Sequence, residues 1–132
     1  MNPENNPTSP GKHNFERMDL VFTIVPHGFG DKVTEITEAN GVPVNLCCPG
    51  RGTATSGILE MFGLGATDKD VIISFVKSKT VPALFDVISK ELDFQKPGNG
   101  IAFSVPFQSV AGSKALHYLT AFSSEGGVNH GE

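Results

Sequence analysis

The chain of 132 residues carries 10 Lys and Arg against 14 Asp and Glu, and 39% of its residues are hydrophobic. That length fits one domain able to bury a core. A net charge of −4 excludes a general nucleic-acid binder, which needs a concentrated basic face, and the lack of any long apolar run excludes direct membrane insertion. Adjacent Cys47 and Cys48 cannot bridge each other without strain, and the opening segment has no apolar signal core; reduced, buried thiols in a cytoplasmic protein are the expectation.

Residues 1–16 combine Pro, Asn, Ser and Gly and read as a disordered N-terminal arm; residues 123–132 read as a disordered tail, leaving a domain over 17–122. Its first element, "MDLVFTIVP", alternates Leu20, Phe22 and Ile24 on one face with Val21, Thr23 and Val25 on the other, the period of a strand. After "GFG", Asp31 opens a helix marked by Val33, Ile36 and Ala39, with Gly41 as its stop. "VPVNLCC" is a second strand with Pro43 near its beginning. A gap of 21 residues, 49–69, follows, longer than connections in compact domains usually are. "DVIISFV" is a third strand. Thr80 is the expected N-cap of a second helix, with Pro82 in its first turn and Val81, Leu84, Phe85, Ile88 and Leu92 forming its apolar stripe. "IAFSVPF" is the fourth strand, and "HYLTAF" suggests a short edge strand.

The order predicts an α+β fold of the ferredoxin-like βαββαβ type: a four-stranded antiparallel sheet with two helices on one face. The uncovered face is expected to be apolar through Val21, Val25, Ile72 and Val76, so that an oligomer forms over it.

Candidate chemistry gathers at loops. "PGRGTATSG" offers Gly50, Arg51, Gly52 and Thr53, and an arginine fork among N–H donors suits phosphate or carboxylate. In "KPGNG", Gly98, Asn99 and Gly100 can all take positive φ and turn successive N–H groups into one concavity, with Lys96 for charge. On pattern alone a simple chain reversal is favoured there. "GFGD" has the strand-to-helix geometry that faces an anion, but it lacks the third glycine of a dinucleotide fingerprint and reads as a tight turn. His27, at the strand end beside it, is the one histidine singled out. Ile58, Leu59, Met61, Phe62 and Leu64 make the centre of the long gap too apolar for a linker and mark it as a partner-binding segment. No acid–base pair or metal-ligand spacing points to an enzyme.

The stretches "GRGTATSGILEMFGLGATDKDVIISFV" and "KPGNGIAFSV", in that order with a helix between them, resemble the P-II nitrogen-regulatory signalling superfamily, in a divergent branch. The resemblance implies a cytoplasmic, non-enzymatic homotrimer whose clefts between subunits bind ATP or ADP. The phosphate-binding turn falls at Lys96 to Gly100, and the loop at 49–69 engages a target protein, a transporter or an enzyme. Here Ile101 stands where typical members carry lysine, and "PGRGTATSG" has no glutamine for a magnesium-held 2-oxoglutarate. Two further readings stay open: a protein-interaction module without a small ligand, and a metal-binding trimer resembling the divalent-ion tolerance family, with Cys47, Cys48 and His27 as candidate ligands.

Overall fold

In the computed structural model, residues 16–53, 57 and 67–125 are described; the loop centre from Ile58 to Leu64 and most of both terminal arms lie outside them. The strand alternation of "MDLVFTIVP" becomes β1 (Met18–Pro26), and the Val33/Ile36 stripe becomes α1 (Gly30–Ala39), closed by Gly41 at φ 86. β2 (Asn45–Arg51) and β3 (Asp68–Lys77) follow, then a single 3₁₀ turn (Ser78–Thr80), α2 (Val81–Glu91), β4 (Ile101–Pro106) and α3 (Ser113–Glu125). The strands lie in the order β2-β3-β1-β4, every neighbouring pair antiparallel. This is the expected βαββαβ sheet, extended by a third helix.

α1 and α2 cover one face. Val21, Val76, Val81, Leu84 and Ile88 form one core cluster with Ile36 and Val42, and Val25, Val33 and Ile72 form a second, bridged by Leu92 and Phe94. The α2 stripe therefore buries as its spacing predicts. The two sheet faces are exchanged relative to the sequence expectation. Val21, Val25, Ile72 and Val76 lie under the helices, and the opposite face carries Leu20, Phe22 and Ile24 with Leu46, Phe103 and Val105, which are 51, 42 and 45% exposed. Alternation shows that two faces differ, but it does not say which one the helices choose. The rings of Phe22 and Phe103 stack across β1 and β4 at 5.2 Å on that open face.

Three further expectations change. β2 starts three residues later than "VPVNLCC" and runs through Pro49, Gly50 and Arg51, since an edge strand tolerates a residue without an N–H. Thr80 does not cap α2 with its side chain; its hydroxyl donates to the Lys77 carbonyl at 2.8 Å within the 3₁₀ turn. "HYLTAF" is helical. Leu116, Leu119 and Thr120 turn inward at i, i+3 and i+4, and α3 runs on to Glu125, past the boundary drawn at 122. Among the described residues, no helix is long and apolar enough to cross a membrane.

Candidate functional site

The β2–β3 ladder ends with Arg51 opposite Asp68, and the Gly52 N–H donates to the Thr67 carbonyl at 3.2 Å. Of the four residues expected in the loop root, Gly50 and Arg51 are thus strand residues held in register, and Gly52 and Thr53 leave the sheet just beyond. At this end of the sheet an open groove of about 440 Å³ is lined by His27, Pro49, Gly50, Arg51, Asp68 and Lys69.

Lys69 is the residue that sequence reading passed over. It stands between Gly50 on β2 and Pro26 on β1, two neighbours without long side chains, and it is only 8% exposed. Among the described residues neither Lys69 nor Arg51 has an ion pair. Burial disfavours an ammonium unless a counter-charge is supplied. Asp68 is the carboxylate that lines the groove with them.

The β1–α1 turn is built around a carboxylate. Asp70 Oδ2 accepts from the N–H groups of Gly28 and Gly30, both at 2.9 Å, and Oδ1 faces His27 Nδ1 at 3.0 Å. "GFGD" does present N–H groups to an anion, but the anion belongs to the chain itself. Partial burial pushes the Asp70 carboxyl up; the Gly30 and Gly28 N–H groups and His27 outweigh it, so Asp70 titrates below its ordinary value. Gly30 is required at this spot, because a Cβ there would lie 2.9 Å from Asp70 Oδ2 and 3.1 Å from Cys47 Sγ.

The other expected half of the site lies on β4's side. Gly98 and Gly100 have φ of 89 and 145, but Asn99 does not join them. Its N–H donates to Lys96 O at 3.2 Å, and its Nδ2 donates to the carbonyls of Leu92 at 3.2 Å and Asp93 at 3.0 Å. The run of three positive-φ residues is therefore not formed, and the Asn99 side chain ties the turn to the end of α2. A Cβ on Gly100 would lie 2.7 Å from the Ile24 carbonyl, so close packing alone already demands glycine there. β2 and β4 are opposite edges of the sheet, three strand spacings or ~14 Å apart. Within one chain Arg51 and the 96–100 turn do not meet, although both sit at the same end.

Cys47 and Cys48 are exposed and unpaired rather than buried. As strand neighbours they point to opposite faces, Cys47 toward Gly30 and Cys48 toward the open face. Partial burial, then the charges of Asp70 and Asp31, push the Cys47 thiol up and keep it protonated. With these two thiols divided between faces, the proposed metal-ligand trio is not assembled. Among the described residues no three His, Cys, Asp or Glu side chains are grouped to hold a metal.

Comparison with family models and with curated protein sequences finds no match. Solved structures do match. CPII from Thiomonas intermedia, a nitrogen regulatory PII-like protein bound to ADP, AMP and bicarbonate, superposes with a TM-score of 0.57 at 16% identity, over 73% of this chain and 96% of that one. A putative PII-like signaling protein from Thermus thermophilus gives 0.54 at 18% identity, over 75% and 95%. The periplasmic divalent cation tolerance protein CutA from Archaeoglobus fulgidus gives 0.61 at 8% identity, over 80% and 98%. The likeness read in "GRGT" and "KPGNG" and the likeness of the backbone agree: this chain has the ferredoxin-like fold of the PII-like and CutA proteins.

Proposed function

We propose that this chain is a PII-like signalling regulator of the cytoplasm that works by binding rather than by catalysis. Its effector is a small oxyanion, carried as the phosphate of an adenine nucleotide, ADP or ATP. The groove of Arg51, Lys69 and Gly50 forms one wall of the site, with Gly52 and Thr53 at its rim. The turn at Lys96, Gly98, Asn99 and Gly100 of a neighbouring subunit in a homotrimer forms the other wall. The segment 49–69, with Ile58, Leu59, Met61, Phe62 and Leu64 at its centre, carries the signal to a target protein.

The observation that carries this reading is Lys69, buried in the lining of the groove that Arg51 also lines and, among the described residues, without an ion pair. Four others support it. The two halves of the site lie at one end of the sheet on opposite edges, as a cleft completed by a neighbour requires. The open face is an apolar surface suited to association. PII-like neighbours were crystallised with ADP and AMP. The unpaired thiols favour a reducing compartment.

Calorimetric titration of ADP into the wild type and Arg51→Ala tests the proposal. Binding in the wild type, weakened about tenfold or more by loss of the guanidinium, is the expected result. No heat of binding at millimolar ADP in the wild type would overturn it.

A further inference from the structure

His27 lines the groove, yet nothing in the nucleotide reading uses it. Its side chain is 74% exposed, but one edge of the ring is fixed: Nδ1 lies 3.0 Å from Asp70 Oδ1. The partner is itself immobile. Asp70 Oδ2 is held by the Gly28 and Gly30 N–H groups at the start of α1, so the carboxylate cannot turn away without opening the β1–α1 turn. A carboxylate only accepts hydrogen bonds, so the ring nitrogen that faces it carries the proton. In the neutral imidazole Nε2, on the far side of the ring, is then left with a bare lone pair. Protonation turns that lone pair into an N–H donor bearing positive charge, on the wall of a groove that already holds Arg51 and Lys69.

We propose that His27 is a proton-gated donor of this groove, which makes the site bind an oxyanion more tightly as pH falls through the imidazole range. The proposal rests on the groove being an anion site and adds its regulation. On the groove wall a protonated His27 adds a positive charge and an N–H donor that the neutral ring lacks. The charged groups around the ring are Asp70, Asp68 and Lys69 from β3 and Arg51 from β2, with Asp31 at the start of α1. Carboxylates as a class titrate below the imidazole range, and lysine and arginine titrate above it, so the other charged groups here keep their charge across that range. The coupling is reciprocal: a bound anion raises the proton affinity of the ring, and binding takes up protons.

Sulfate is the probe, because its charge is constant across this window. Calorimetric titrations at about pH 5.5 and about pH 8, in two buffers of different ionisation enthalpy, read both affinity and proton uptake. The wild type is expected to bind sulfate about three- to tenfold more tightly at the lower pH, with net proton uptake near neutrality. His27→Gln is expected to keep the affinity seen at the higher pH and to lose both the pH response and the proton uptake. An equal response in His27→Gln, or binding in the wild type that does not change with pH, overturns the role of His27 and leaves the groove standing. No sulfate binding at either pH overturns the groove reading together with the inference. Competition by ADP separates the sources of the oxyanion. Displacement of sulfate identifies a nucleotide phosphate and no displacement a free oxyanion, and the same histidine gates either one.

Discussion

Lys69 and Lys77 stand on one strand, on one face, eight residues apart and equally buried, at 8 and 6% exposure, and the chain treats them in opposite ways. Lys77 closes its end of the sheet. Its ammonium meets Glu16 Oε1 at 2.8 Å, Lys79 reaches Oε2 of the same carboxylate at 3.4 Å, and Ser78 Oγ donates to Asp19 Oδ1 at 2.5 Å beside them. The hydrogen bond from Lys77, assisted by Lys79, outweighs what burial adds and holds the Glu16 carboxyl below its ordinary value. Lys69 lines a groove with Arg51, Asp68 and His27 and has, among the described residues, no ion pair. A buried cation with a counter-charge is architecture. One without an ion pair costs stability in the free protein.

The largest way to break this contrast is at Asp70, which organises the open end. Asp70→Ala strips acceptors from Gly28 and Gly30 and frees His27, and should cost about 2–3 kcal/mol of stability in urea denaturation. The sign with pH follows from its lowered folded value. The stability it confers is fully present above its ordinary value of 3.8 and is lost as pH falls through the folded value, so the variant should show a flatter acid limb. A smaller effect is expected at the closed end. Glu16→Gln leaves the buried Lys77 ammonium without this counter-charge, and should lower the thermal midpoint by a few degrees while leaving anion affinity unchanged. The smallest stability effect belongs to Lys69→Met. Removing a buried charge that has no ion pair should leave stability unchanged or raise it by up to about 1 kcal/mol. A loss like that of Glu16→Gln would show Lys69 to be as structural as Lys77.

The strands and the two core helices were legible because their signals are periodic: Val81, Leu84 and Ile88 fall on one helical face whatever the rest of the chain does. α3 was not, because Tyr118, Thr120 and Phe122 are residues that strands also favour, and only the inward turn of Leu116, Leu119 and Thr120 separates the two readings. The end of β2 was hidden by Pro49 and Gly50, which mark turns in most contexts and are tolerated here on an edge strand. At the site, Arg51 was visible as a lone cation among glycines. The His27–Asp70 pair joins residues 43 positions apart, and Lys69 looked like the last residue of a loop. Its burial is set by residues distant in the chain, which no local pattern encodes.

The central claim, that the groove beside Lys69 takes the phosphate of an adenine nucleotide, is tested most directly by titrating ADP into the wild type and Lys69→Met side by side. Binding by the wild type, and a loss of about tenfold or more in a variant at least as stable, is the expected result. Equal ADP affinity in the two proteins, or none in the wild type, would contradict it.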